Sequence, residues 1–149
     1  MRPASLAEVA KRTAADPDWP HHLDEFLDTF YGADGDVSRQ SEMIADAPGL
    51  LGRPETDAFI GGAGEHLARR WGLDIPAWVH EPERYLATPM FYPDRAGFRS
   101  YLRAVSPVAF RTRLIYTGPD PLQRARFPYQ KKGVVRPKAT RVAQVATAR

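Results

Sequence analysis

One segment, GRPETDAFIGGAGEHLARRWG at residues 52 to 72, constrains the fold more than any other part of the sequence. It has a proline near its start, acidic residues in its first turn and two arginines before its closing glycine. This order of charges matches the dipole of a helix at both ends. Its large apolar residues recur at helical spacing along one stripe. The pattern therefore predicts a long helix that ends at Gly72.

Three glycines, Gly61, Gly62 and Gly64, lie inside this predicted helix. Each costs about 1 kcal/mol of helix stability relative to alanine, so close packing must compensate. We expect another helix to approach this surface, which lacks side chains. A phosphate-binding glycine loop is the alternative, but the preceding strand and the following Lys-Ser or Lys-Thr that it needs are both missing.

Two tryptophans, Trp71 and Trp78, flank a turn that contains Gly72 and Pro76. Large aromatic rings fix how neighbouring elements meet, because each buries a large apolar area. No nucleophile–base pair and no set of metal ligands converges here in the sequence. We interpret the pair as a packing corner, with a ligand site as the alternative.

Prolines and capping residues mark the other helices. Ser5 and Glu8 form a capping box that starts a first helix. Pro20 opens a second helix, whose apolar residues follow the i, i+3, i+4, i+7 pattern up to a cap at Gly32. Further helices are predicted over residues 38–47, 80–91, 92–106 and 106–114, with a strand-like stretch at 114–118 and a last helical turn within 118–127.

The predicted fold class is therefore mainly all-α. We expect a compact multi-helical single domain over residues 1–126, followed by a basic, flexible tail over residues 127–149. The tail loses apolar periodicity and carries six basic groups and no acidic one.

Composition excludes several kinds of chemistry. The chain has no cysteine, which removes disulfides, thiolate nucleophiles and cysteine metal sites. Its four histidines lack the spacing of a zinc site, so neither a metal nor a cofactor is predicted. No apolar run is long enough to span a membrane, and no signal peptide is evident. The expected location is the cytoplasm, without a membrane partner.

Charge divides the chain into an acidic front and a basic back. Residues 16–57 carry eleven acidic and two basic groups, a net charge of −9. Residues 95–149 carry thirteen basic groups and one acidic group, a net charge of +12. Such asymmetry governs partners and association rates more than it governs the fold.

The candidate binding residues follow from this division. Arg95, Arg99 and Arg103 are four residues apart, which places three guanidinium groups along one edge of a helix, and Arg111 and Arg113 follow closely. Such groups can hold phosphates or carboxylates. They can also pair with the acidic front inside the fold. The other side of the helix is predicted to be apolar and to consist of Phe98, Tyr101, Leu102 and Val105.

Asp24 and Asp28 share one face of the second helix at an i, i+4 spacing. They form either a solvated acidic face or a surface for a basic partner. That partner is then another chain or the basic half of this chain. No helix-turn-helix recognition unit is predicted, so any nucleic-acid contact would be weak and salt-sensitive. The candidates for it are the tail residues Lys131, Lys132, Arg136, Lys138 and Arg141.

Over about residues 26 to 116 the sequence resembles a helical domain that accompanies helix-turn-helix regulators in high-GC bacteria. The genes for those regulators often lie beside one for a nucleotidyltransferase-like toxin, in a toxin–antitoxin arrangement. The resemblance implies a small helical protein that acts by binding a partner. The residues that carry it are Asp57, Ala58, Glu65, His66, Leu67, Ala68, Gly72, Leu73, Pro76, Ala77, Trp78, Pro82, Leu86, Ser106, Pro107, Ala109, Phe110 and Arg111.

Three functions remain open at this point. The favoured hypothesis is a non-catalytic interaction protein, an antitoxin-like or regulatory subunit that binds and masks a partner protein. The partner would be a protein such as a nucleotidyltransferase-like toxin. The second hypothesis is a small enzyme with a dispersed site that includes Asp24, Glu65, His66 and Arg99. The third is a non-specific nucleic-acid binder that uses the basic half.

Overall fold

The computed structural model describes residues 1–124 of the 149-residue chain. In this part the protein is mostly helical, as predicted, with one two-stranded sheet. The tail prediction for residues 127–149 lies outside the described residues. The helices are α1 (Leu6–Ala15), α2 (Trp19–Gly32), α3 (Val37–Ala45), α4 (Pro54–Trp71), α5 (Arg99–Val105) and α6 (Val108–Arg111). The strands are β1 (Met90–Tyr92) and β2 (Ile115–Thr117), and 3₁₀ turns cover Ala77–His80, Pro82–Arg84 and Ala96–Phe98.

The predicted starts of α1 and α2 and the predicted end of α4 are present, whereas Gly32, predicted as a cap, is the last residue of α2 and Ala33 follows it as the cap. The Ser5 hydroxyl accepts a hydrogen bond from the backbone N–H of Glu8 at 3.1 Å, which caps α1. Asp18 caps α2 in the same way. Gly72 ends α4 with a φ of 70°, in the left-handed region that glycine adopts without strain.

Helix α4 lies at the centre of the packing, and its glycines are covered. The 3₁₀ turns Ala77–His80 and Pro82–Arg84 and the helix α6 pack directly on it. A Cβ atom would lie 2.8 Å from the Arg84 Cβ at Gly61, 2.8 Å from the Phe110 ring at Gly62 and 2.7 Å from the Trp78 ring at Gly64. The predicted close approach is confirmed, although two of the three neighbours come from 3₁₀ turns and not from a helix.

The tryptophan corner is also confirmed as a packing feature. Trp71 and Trp78 are both buried. Trp71 contacts the rings of Phe30 and Tyr31, each with a centroid separation of 5.9 Å. Trp78 donates its indole N–H to the carbonyl of Ile44 at 2.9 Å, so its single polar group is satisfied inside the core.

A fully buried arginine, Arg84, joins the second 3₁₀ turn to the loop before α4. Its guanidinium donates to the carbonyl oxygens of Pro48 at 2.6 Å and Asp57 at 3.3 Å, and to the carboxylate of Glu81 at 3.1 Å. These acceptors compensate for the loss of hydration that burial imposes on the charge. Sequence analysis did not single out this residue.

The segment after Trp78 departs most from the prediction. Residues 80–91 do not form a helix but pass from 3₁₀ turns into β1, and the helix predicted over 92–106 begins only at Arg99. The strand-like stretch at 114–118 is confirmed as β2. Residues 120 to 123 close one hydrogen-bonded turn, and residues 118–124 contain no helix.

Strands β1 and β2 pair in parallel, with Phe91 opposite Tyr116. Parallel neighbours need a crossover connection, and here the crossover contains α5 and α6. A three-residue strand is too short to show an alternating pattern, which explains why β1 escaped prediction.

Candidate interaction surface

Residues 92 to 101 are exposed without interruption. Within them Tyr92 is 40% exposed, Phe98 48% and Tyr101 55%. Phe98, Tyr101, Leu102 and Val105 were predicted to form one apolar side of the helix, and of these four only Leu102 is buried. We call this region the Arg–aromatic surface, formed by Tyr92, Arg95, Phe98, Arg99, Tyr101 and Arg103.

Aromatic rings of the sheet support two of these arginines. Phe91 and Tyr116 lie opposite each other in register and stack with their centroids 5.3 Å apart. Arg99 lies 4.5 Å from the centroid of the Phe91 ring. Arg103, one helical turn later, lies 5.0 Å from both ring centroids. Cation–π attraction therefore holds both guanidinium groups against the sheet.

The start of helix α5 and its end are both fastened to neighbouring elements. Arg99 at its start stacks on β1, and Leu102 is buried beneath it. At its end the Ser106 hydroxyl donates to the carbonyl of Leu102 at 2.5 Å and accepts a hydrogen bond from the backbone N–H of Thr117 at 2.8 Å. These contacts fix the position of the helix relative to the sheet.

The two stacked arginines differ in their ionic partners. Arg99 pairs with Asp94 at 2.9 Å, and both side chains are about half exposed or more. An exposed pair of this kind contributes little to stability. Arg103 makes no ion pair within residues 1–124. Both arginines line a cleft of about 480 Å³, together with Glu55, Thr88, Pro89, Met90, Phe91 and Asp94.

The other predicted arginines separate. Arg95 is exposed and lies 5.9 Å from the centroid of the Phe98 ring. Arg111 is exposed on α6, where it donates to the carbonyl of Ser106 at 3.0 Å. Arg113 is instead fully buried, because the chain turns inward after α6. It therefore belongs to the core and not to a binding surface.

Arg113 has a dense set of partners in the core. Its guanidinium pairs with Glu65 at 2.7 Å and donates to the carbonyls of Ala109, at 2.6 Å, and Val79. Arg69 also pairs with Glu65, at 2.8 Å. Burial opposes ionisation of Glu65, but the hydrogen bonds from Arg113 and Arg69 outweigh it and lower the pKa of that carboxyl.

The predicted acidic pair forms ion pairs with a basic residue from the other half of the chain. Arg124 contacts Asp28 at 2.9 Å and Asp24 at 3.2 Å. Asp28 is nearly buried, whereas the Asp24 side chain is half exposed. Burial raises the pKa of Asp24, and Arg124 acts in the opposite direction. The acidic front and the basic back thus pair here, while Arg99 and Arg103 stack on the sheet.

The residues of the predicted dispersed enzyme site keep separate partners. Glu65 is tied to Arg113, Asp24 to Arg124 and Arg99 to Asp94. The ring of His66 lies 5.7 Å from that of Phe110. Among residues 1–124, no group of three or more histidine or acidic side chains could hold a metal ion. The predicted nucleic-acid residues of the tail lie outside the described residues.

Sequence reasoning missed the platform formed by Phe91 and Tyr116. Its only signal was the recurrence of aromatic and apolar residues in MFY and IYT, two short stretches 25 residues apart.

No protein-family model matches this chain, and no curated protein or solved structure matches it either. None of the helices in residues 1–124 has the length and apolar character needed to cross a membrane.

Proposed function

We propose that this protein is a non-catalytic interaction protein that binds and masks a partner protein in the cytoplasm. The observation that carries this proposal is the Arg–aromatic surface. It exposes three aromatic rings and three arginines within residues 92–103, and two of the arginines are held in place by stacking.

Physical reasoning supports this use of the surface. Tyrosine and arginine are enriched among the residues that dominate binding energy at protein interfaces. An aromatic side chain that remains half exposed in the free protein gains apolar burial when a partner covers it. Arginine adds hydrogen bonds in a fixed planar arrangement. Three exposed rings within ten residues form a cluster, whereas the apolar residues that are normal at protein surfaces are scattered singly.

The kind of partner follows from the sequence resemblance. The helical domains that this chain resembles accompany toxin–antitoxin genes, and an antitoxin acts by covering a toxin. We therefore propose an antitoxin-like or regulatory role, with a nucleotidyltransferase-like toxin as the first partner to test. The binding itself requires no cofactor.

Affinity capture with matched variants tests the binding. Phe98→Ser combined with Tyr101→Ser removes two exposed rings. Val37→Ser combined with Leu50→Ser is the matched control, because each of those residues is 46% exposed elsewhere on the protein. Loss of interface hot spots costs roughly 2 kcal/mol each, so the first variant should lose captured partner and the control should retain it. Equal capture by both variants would overturn the proposal.

Masking is tested with the captured partner itself. Co-expression with the wild-type protein should relieve the growth defect that the partner causes, and the Phe98→Ser/Tyr101→Ser variant should not relieve it. Calorimetry on the purified pair gives the affinity. A partner that keeps full activity when saturated with this protein would rule out masking and leave binding alone.

A further inference from the structure

Arg103 is the unusual member of the cleft beside β1. Its guanidinium stacks on two aromatic rings, and within residues 1–124 no carboxylate pairs with it. Stacking engages the face of a guanidinium and leaves the N–H groups in its plane free to donate. An exposed, positioned set of donors therefore lines a cleft of about 480 Å³.

The charges around Arg103 limit the anion that fits. Glu55 and Asp94 line the same cleft, and Asp94 already pairs with Arg99 at 2.9 Å. Within residues 1–124, Arg103 is thus the arginine of this cleft that has no ion pair, and the exposed Glu55 lines the same cleft. A chain of phosphates would bring more negative charge beside Glu55 and Asp94 than Arg103 can balance, whereas a single small anion can pair with Arg103.

We propose that this cleft binds one carboxylate side chain of the partner protein, with Arg103 as its donor. The carboxylate belongs to an aspartate or glutamate that has apolar neighbours, because Pro89 and Met90 form apolar walls of the same cleft. A planar carboxylate matches the paired N–H groups of a guanidinium. This inference rests on the proposed function and adds the chemistry by which the partner is recognised.

A titration with small probes tests the inference without the partner. The full chain, labelled with ¹⁵N, is titrated with the capped peptide acetyl-Leu-Glu-Leu-amide and with its Gln counterpart. The Glu peptide should shift the Arg103 Nε–H signal and the Phe91 amide signal in a saturable way. The Gln peptide should bind about tenfold more weakly or not at all, since it lacks the charge. Equal binding of both peptides would overturn the proposal.

Matched arginine variants locate the effect. Arg103→Gln should weaken binding of the Glu peptide about tenfold, whereas Arg111→Gln, which changes another exposed arginine, should leave it unchanged. Unshifted thermal unfolding of both variants verifies that the fold is intact. If Arg111→Gln weakens binding as much as Arg103→Gln, the effect is one of general charge and the proposed site is wrong.

A third experiment tests the role of Glu55 independently. A short oligothymidylate should not shift the cleft signals of the wild-type protein. Glu55→Gln should tighten binding of the Glu peptide a few-fold and allow some binding of oligothymidylate, because one repulsive charge is removed. Tighter binding of oligothymidylate than of the Glu peptide to the wild-type cleft would overturn the proposal in favour of nucleic acid.

The two proposals can fail separately. If affinity capture depends on Phe98 and Tyr101 but the Glu peptide does not bind, the surface docks a partner without reading a carboxylate. If the Glu peptide binds and capture does not depend on those rings, the cleft is a carboxylate site and the masking function is wrong.

Discussion

Arg113 and Arg103 are ten residues apart in the chain, yet their environments are opposite. Arg113 is fully buried, and its Nη1 and Nη2 groups donate to Glu65 and to backbone carbonyls, while its Nε–H has no acceptor within residues 1–124. Arg103 is exposed, stacks on two rings and has no ion pair within residues 1–124. The same type of side chain thus stabilises the fold at position 113 and, within residues 1–124, has no ion pair at position 103.

The difference lies in what each position leaves unsatisfied. A buried guanidinium must have acceptors for its hydrogen bonds, or burial would cost several kcal/mol. An exposed guanidinium keeps water as its partner, so nothing in the fold requires a carboxylate beside it. The buried network is therefore expected to control stability, and the exposed surface is expected to control binding.

The largest predicted effect is that of breaking the buried pair. Arg113→Gln leaves Glu65 charged and buried with only Arg69 as a cationic partner, and should reduce the free energy of unfolding by about 3–5 kcal/mol. Urea unfolding followed by circular dichroism measures this loss. The exposed Arg111→Gln should change stability by no more than about 0.5 kcal/mol. Equal effects would erase the distinction between core and surface arginines.

A smaller effect is expected from a single methyl group in the packed region. Gly64→Ala places a Cβ 2.7 Å from the Trp78 ring and should cost about 1–3 kcal/mol through overpacking. Gly97→Ala, in the exposed segment, meets nothing within 4 Å and serves as the control. It should leave stability unchanged or raise it by roughly 0.5 kcal/mol. If Gly64→Ala were as stable as the wild type, the Trp78 ring would be able to move away from the added methyl group.

Acidification should weaken the buried network more gently, because a protonated Glu65 stays in place and can still form hydrogen bonds. Its pKa is lowered in the folded protein by Arg113 and Arg69, which outweigh burial. Its contribution is therefore complete above the usual glutamate pKa and is lost as the pH falls through the lowered value. The stability difference between the wild type and Glu65→Gln should shrink over this acidic range. A constant difference would show that the charge of Glu65 does not contribute.

The smallest effect is expected on the exposed side. Arg103→Gln removes two ring contacts and no ion pair of residues 1–124, so its unfolding free energy should change by no more than about 0.5 kcal/mol. Thermal unfolding measures this change. A loss comparable to that of Arg113→Gln would assign Arg103 to the core network and remove the basis for the carboxylate site.

Helix α4 shows how much of this fold could be predicted from the sequence. Its proline start, its glycine end and the need to cover Gly61, Gly62 and Gly64 are all local signals, and all three are confirmed. The neighbours that cover the glycines could not be identified, because Arg84 and Phe110 approach through tertiary packing.

The candidate site was predicted only in part. The spacing of Arg99 and Arg103 correctly placed them one turn apart on a helix. Phe98 and Tyr101 were placed with Leu102 and Val105 on one apolar side of a helix, and such a side usually faces the core. Helix α5 is too short and too close to the protein edge to bury more than Leu102, and periodicity carries no information about that.

Because α5 lies inside the crossover between two paired strands and Ser106 binds β2, we expect the helical part of the Arg–aromatic surface to be ordered before any encounter. A partner would not have to order this segment, so little conformational entropy is lost on association. We expect complex formation to show the negative heat-capacity change of apolar burial without the larger signature of coupled folding.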